Sequence, residues 1–278
     1  YAWSIAADNF GNAYVAGSFN ETVDFDPSDE ELLLVSSGER DAFIQKIDPV
    51  GNMVWTHSFG NTGWDEGKVV TLDIENNLLF AGRYTDEVDF DPGPGTSNLT
   101  SYGNEDIFVS KLDAAGNFQW AKNIGGIDAD FSRSLGLDVA GNIYITGHFE
   151  GVVDFDPGPG IFNLISNGNL DVFISKLDAA GNFQWAKRIG GVGDDYGYSI
   201  ALDATGNVYT AGRFHQQADF DPGSGTFNLI TAYSDVFVSK LDAAGNFQWA
   251  KTMGGFGSIA LAIALDATGN VYITGNFN

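Results

Sequence analysis

The chain repeats itself with a period of 65 residues. Val-Asp-Phe-Asp recurs with its first aspartate at Asp24, Asp89 and Asp154, and as Ala-Asp-Phe-Asp at Asp219. A tryptophan recurs at Trp55, Trp120, Trp185 and Trp249, and a lysine at Lys46, Lys111, Lys176 and Lys240, with one slip to 64 late in the chain. Three unrelated landmarks on one period mean that one structural unit has been copied. That restricts the fold to architectures built from tandem units.

One copy, residues 134–191, shows what the unit is. Ser134 to Asp138 is a short apolar strand, and Val-Ala-Gly141-Asn142 is a turn. Asn142 to Phe149 alternates and is rich in β-branched and aromatic residues, which predicts a second strand. Val-Val-Asp-Phe-Asp runs into Pro157-Gly-Pro-Gly160, a strand end and a turn, and Phe162 to Ile165 is extended again. Asp171 to Asp178 is the third main strand and Phe183 to Ile189 the fourth, joined at Gly181-Asn182. No stretch keeps a 3.6-residue period between caps, so no helix is expected. The unit is four antiparallel strands with a decorated hairpin between the second and third. Such sheets, repeated with aromatics between them, predict an all-β fold of the β-propeller kind, because each blade needs a neighbour to cover its faces. Phe43, Phe108, Phe173 and Phe237, the four tryptophans, and Tyr14, Tyr144, Tyr209 and Tyr272 are expected to pack blade on blade.

The run from Gly190 to Tyr209, with Ser-Ile-Ala-Leu-Asp-Ala-Thr-Gly-Asn-Val-Tyr, followed by Asp235 to Asn246, resembles the SBBP-type β-propeller repeat. The longer Asp-Phe-Asp-Pro-Gly-Pro-Gly insert resembles a variant seen in secreted or surface proteins of the Bacteroidota. The resemblance implies an extracellular or cell-surface bacterial protein of many repeats. It implies no particular activity, because propellers host many functions.

The expected blades span residues 1–60, 61–125, 126–190 and 191–255, with a partial fifth at 256–278. Ala262 to Asn278 matches Ser4 to Asn20, so two strands of a fifth blade follow four full ones. The preferred expectation is a segment of a larger propeller; a five-bladed ring with an incomplete blade and a four-bladed ring with a spare hairpin are the alternatives. Further blades of the same polypeptide are then expected partners, and the start at Tyr1 is expected to lie inside a repeat.

Charge and composition narrow the partners. The formal charge is −24, from 37 acidic and 13 basic residues, which argues against nucleic acid and against an anionic membrane surface. No apolar run is long enough to span a bilayer. Cysteine is absent, which excludes disulfides and thiolate metal sites.

The acidic insert is the main candidate for chemistry. Asp24/Asp26, Asp89/Asp91, Asp154/Asp156 and Asp219/Asp221 form Asp-x-Asp pairs whose alternate residues share a strand face, so they are candidate Ca²⁺ ligands. The alternative is that they organise the Pro-Gly turn. In the first copy Ser28-Asp29-Glu30-Glu31 replaces Gly-Pro-Gly, and its site is expected to differ. Asp65, Asp130 and Asp195 form a second series, with Ser258 in the shorter last copy. They are read either as a carboxylate-lined channel mouth or as turn residues bonded to the next blade. The third-strand lysines are expected to pair with carboxylates. Ser18, Arg83, His148, Arg213 and Asn276 follow the second-strand glycine and vary among the copies, which makes them candidates for binding a partner.

Catalysis has little support. His57, His148 and His215 stand at different repeat positions, outside metal-ligand spacing, and no phosphate loop or nucleophile motif occurs. The expected function is a non-catalytic secreted or surface module that binds a protein or a glycan. The alternatives are a polysaccharide hydrolase or lyase, and a structural adhesin repeat stiffened by calcium.

Overall fold

The computed structural model describes residues 1–255 and 257–277. Among these every regular element is a β-strand, and no helix is long and apolar enough to cross a membrane. The expected fifth copy begins and ends on Phe256 and Asn278, which lie outside the described residues. The chain divides into two compact units, residues 1–125 and 126–278, and the division falls between two copies of the repeat.

The first unit holds two four-stranded antiparallel arrangements, each with a short two-stranded hairpin beside it. Ala2–Ala7, Ala13–Phe19, Asp41–Ile47 and Met53–Phe59 pair in chain order. Glu66–Leu72, Leu78–Tyr84, Asp106–Leu112 and Phe118–Gly126 do the same. The second unit repeats the arrangement with Phe131–Leu137, Ile143–Asp154, Asn163–Leu177 and Phe183–Gly191. Its next sheet is Tyr196–Leu202, Val208–Asp219, Asn228–Leu241 and Phe247–Met253. Ile259–Leu265 and Val271–Asn276 form a final hairpin. Each full sheet is a meander of the kind that forms a propeller blade.

Local chemistry explains the hairpins. The turns at Asp8, Asp48, Asp73, Asp113, Asp138, Asp178, Asp203, Asp242 and Asp266 share one network. The aspartate Oδ1 accepts the amide of the Asn four residues on, at 2.8–3.0 Å. The residue before that Asn is left-handed. It is Gly in eight of these turns, and Asn76, with φ of 63°, in the other. In the last turn the Asn270 side chain and the Thr268 hydroxyl and amide also donate, which holds the Asp266 carboxyl well below its ordinary range. Much of the acidic excess is therefore built into turns.

The core lies between sheets. In the first unit Tyr14, Ile44, Phe59, Phe80, Phe90 and Phe108 are buried together, with Trp55 packed on them. In the second, Tyr144, Ile174, Ile200, Phe214, Phe220 and Phe237 form the equivalent layer under Trp185. Full burial of one such side chain stabilises by about 1.5–3 kcal/mol, so the stacked faces contribute strongly to the cohesion of each unit. Tyr272 departs from its copies. It is 58% exposed, because its strand pairs on one edge only.

The lysine reading holds in three copies. Lys111 meets Asp73 at 2.8 Å, Lys240 meets Asp203 at 3.6 Å and Lys176 meets Asp138 at 3.9 Å. Lys46 instead donates to the Ala114 carbonyl at 2.9 Å while lying over the Tyr14 ring. A second regularity is invisible in the residue types. Glu21, Asp86, Gly151 and Gln216 stand 65 residues apart and all take positive φ, between 50° and 67°. In the third and fourth sheets this residue interrupts the register between the second and third strands. It is the bend at which the acidic hairpin leaves the sheet.

Candidate functional site

In the acidic hairpins one oxygen of each carboxylate is taken by its own loop. Oδ1 of Asp24, Asp89, Asp154 and Asp219 accepts the amide two residues on, at 3.0–3.1 Å. The same oxygen accepts the amide eight residues on, at 2.7–3.0 Å. Oδ1 of Asp26, Asp91, Asp156 and Asp221 accepts the amide two residues beyond itself, at 2.8–2.9 Å. Each carboxylate serves its own loop. Among the described residues no three His, Cys, Asp or Glu side chains gather as a metal site. Lys187 and Arg188 border the Asp219/Asp221 loop across a cleft of about 250 Å³, where their charge opposes a cation. This donor set does not fit a calcium cage of six to eight oxygens. The first copy, expected to differ, keeps the network: Asp24 still holds the amides of Asp26 and Leu32, and Asp26 that of Ser28. The motif's Phe anchors the loop. Phe25, Phe90, Phe155 and Phe220 are buried and lie 4.8–5.0 Å from the third-strand phenylalanines.

The second acidic series is also structural. Asp65, Asp130 and Asp195 are fully buried, so they line no channel mouth. Asp65 accepts the amides of Asn61 at 2.8 Å and Thr85 at 2.9 Å; Asp195 accepts those of Gly191 at 2.8 Å and His215 at 2.9 Å. Each side chain joins the end of the preceding sheet's fourth strand, through the amide four residues earlier, to the end of the second strand of the sheet that follows. The main-chain N–H of Asp65 and Asp195 also reaches back, to the carbonyls of Arg40 and Leu170 in the preceding blade. Burial pushes both carboxyls up to about 7, with Asp41 and Asp171 adding like-charge repulsion.

One recurring backbone feature carries residues of differing type. Every first strand carries a β-bulge near its start, between Ala2 and Ser4, Gly67 and Val69, Ser132 and Ser134, Gly197 and Ser199, and Ala260 and Ala262. The bulged residues are Trp3, Lys68, Arg133, Tyr198 and Leu261. Bulges re-aim side chains, and here the residue two places earlier and the bulged residue turn to one side: Tyr1 stacks on Trp3, and Tyr196 on Tyr198, each pair at 5.9 Å. The facing second-strand glycine is required by this geometry. A Cβ on Gly17, Gly82, Gly147, Gly212 or Gly275 would sit 1.8–2.1 Å from the first-strand carbonyl oxygen. The residue after that glycine is the candidate series read from the sequence. Ser18 and His148 are buried, Arg83 and Arg213 half-buried, and Asn276 exposed. The five are therefore not one open surface; each is one wall of a bulge site.

In the first unit the site is a compensated charge cluster. Glu66, buried, takes Arg40 at 2.7 Å, Lys68 at 2.8 Å and Arg83 at 2.8 Å, and Arg83 also reaches Glu105 at 2.9 Å. Burial alone would raise Glu66; the three cations outweigh it and lower the carboxyl to about 2. Aromatic faces cover the cations. Arg40 lies between Tyr1 and Trp64, 4.8 and 4.7 Å from their ring centres, and Lys68 lies 3.8 Å from that of Trp3.

In the second unit the same positions are aromatic and cationic. The Arg213 guanidinium lies 4.3 Å from the Tyr196 ring centre. His148 packs against Phe131 and Tyr196, both at 4.8 Å, and Arg133 lies 5.7 Å from the Phe131 ring centre. The variable second-strand series was legible in the sequence. Its first-strand partners were not, because a bulge leaves no mark in residue type. The signal that could have found them is the variation itself: Trp, Lys, Arg, Tyr and Leu at one repeat position.

Two stretches of the chain, residues 119–148 and 184–213, match the SBBP β-propeller repeat. They lie one period apart and end on His148 and Arg213. Over 233 residues the chain is 28% identical to an uncharacterized WD repeat-containing protein of Acanthamoeba polyphaga mimivirus, covering 74% of this chain and 17% of that protein. Over 146 residues it is 29% identical to the regulatory protein FlaEY of Caulobacter vibrioides, covering 52% of this chain and 15% of that protein. The chain thus spans less than a fifth of these relatives. The Pan2 WD40 domain of Neurospora crassa aligns with a TM-score of 0.36 at 11% identity, over 99% of this chain and 88% of that one. The fold class is the β-propeller, built of repeated four-stranded blades.

Proposed function

We propose that the chain is a non-catalytic binding module that holds a protein partner through the residues at its first-strand bulges. One observation carries this: a repeated framework of strands and turns varies where bulges present Trp, Tyr, Arg and Lys side chains. Trp, Tyr and Arg dominate the energetics of protein interfaces, since they offer large contact area and directional hydrogen bonds. The carboxyls with values suited to proton transfer, Asp65 and Asp195, are buried and bonded to amides, which supports a non-catalytic role. Extracytoplasmic placement, which the repeat resemblance implies, belongs to the same proposal.

A random peptide-display selection on the full chain tests the reading. Enriched peptides should lose binding when Tyr198 is replaced by Ser, and keep it when the exposed Tyr102 is replaced by Ser. Enrichment indifferent to Tyr198 would move the site elsewhere; no enrichment would remove the protein-binding reading. A glycan partner is the second reading, favoured by the exposed, parallel Tyr1–Trp3 pair. A glycan array on which Trp3→Ala abolishes a signal would favour it.

A further inference from the structure

Arg213 does not match its surroundings. The chain carries 37 acidic and 13 basic residues, and Arg40, Arg83 and Arg188 each hold a carboxylate at 2.7–2.9 Å. Among the described residues Arg213 has no ion pair and no hydrogen bond, and its Nε is buried without a partner. Its contact is with a ring, that of Tyr196, 4.3 Å from its centre. Tyr196 lies under its guanidinium, parallel to Tyr198 within 2°, and His148 closes the far edge of Tyr196. Burial raises the Tyr198 hydroxyl, and the charges of Arg213 and Arg133 oppose that rise, so both cations act at this phenol. A guanidinium set over a ring, 4.3 Å from its centre, with its donors unused by the protein, is organised in advance for a planar anion that takes two parallel N–H···O bonds.

We propose that this corner of the second unit binds one peptide carboxylate, with apolar residues beside it packing on Tyr196, Tyr198 and Phe131. Charge selects the ligand. A chain of net −24 repels a polyanion along its whole length, whereas a single carboxylate gains the local fork and little of the repulsion. The carboxylate is an Asp or Glu side chain or a free chain terminus. This assignment rests on the protein-binding reading above.

The test uses the full chain and the enriched display peptides, synthesised in three forms: as selected, with the acidic side chain changed to its amide, and with the C-terminus amidated. The enriched set should carry a carboxylate next to an aromatic or aliphatic residue. One of the two amide forms should bind about ten- to a hundredfold more weakly, and which one identifies the source. Arg213→Gln should weaken the selected peptide by a similar factor and leave the amide form unchanged, since both remove one interaction. Arg213→Lys, which keeps charge without the fork, should fall between. If the two losses instead add independently, or if neutral peptides bind equally well, the assignment is wrong. Neutral peptides that depend on Tyr198 and ignore Arg213 would overturn it and leave the binding reading standing. No enrichment would overturn both. Melting curves of both Arg213 variants confirm that the comparison is made on folded protein.

Discussion

Arg83 and Arg213 occupy the same place in two copies of the repeat, and their neighbours differ. Opposite Arg83 stands Glu66; opposite Arg213 stands Tyr196. The backbone around them is the same: a glycine pressed by a carbonyl, a bulge one residue further on, a buried aspartate latch behind. In the first unit that frame holds a closed charge cluster, in which Arg40, Lys68 and Arg83 converge on Glu66. In the second it holds a guanidinium set over a ring with its donors unused by the protein. The comparison separates what the frame needs from what it carries. The frame needs glycine and aspartate; the side chains it presents are free to diverge, because they sit at the edge of the core rather than within it.

The comparison breaks first at Glu66. Glu66→Gln removes the charge that three cations share in a buried setting, and should cost about 3–5 kcal/mol in urea unfolding. Arg213→Gln, which breaks no ion pair, should change stability by less than about 1 kcal/mol. The shared frame is tested by Gly82→Ala and Gly212→Ala. In each the new Cβ meets a carbonyl oxygen at 1.8–1.9 Å, so both should lose about 2–3 kcal/mol, and alike. An inequality would show that the bulge is not held the same way in the two units. The divergent part is tested by Tyr196→Glu, which offers Arg213 the kind of partner Arg83 already has. Peptide affinity should fall about tenfold or more without a lower melting temperature.

Titration separates the same two kinds of group. Glu66, lowered to about 2 from an unfolded value of 4.5, stabilises the fold at neutral pH, and that contribution is lost as pH falls toward 2. Asp65 and Asp195, raised to about 7 from 3.8, act in the other direction. The folded state keeps their protons longer than the unfolded chain, so stability declines as pH rises from about 4 to 7. Melting temperature should therefore rise by a few degrees between pH 8 and pH 5 before falling in stronger acid; a flat profile over that window would mean both latches are ionised. The smallest expected effect is from calcium. Neither added Ca²⁺ nor chelator should move the melting temperature, since one oxygen of each Asp-x-Asp carboxylate already holds loop amides and Lys187 and Arg188 border the fourth pair.

The all-β blade, its four strands and its turns were legible because they rest on local rules: alternation, Gly-Asn turns and aspartates that bind amides a few residues away. The lysine pairs were legible for the same reason of repetition, and Lys46 escaped because its partner is a main-chain carbonyl of the next blade. The Asp-x-Asp pairs invited a metal reading because strand alternation puts both carboxylates on one face. The chain turns between them, so each meets its own loop. The candidate series from Ser18 to Asn276 was found as a pattern of variation, but its chemistry was not, because what Arg83 or Arg213 does depends on the facing strand.

By itself the sequence determined the repeated unit, the strand order and the loops, since each is encoded within a few residues of where it acts. Tertiary structure alone decided that Glu21, Asp86, Gly151 and Gln216 take left-handed backbone, that Asp65, Asp130 and Asp195 are buried, and that Tyr196 lies under Arg213. Those outcomes depend on which strand faces which, at separations of 17 residues or more in the chain, where no local propensity reaches.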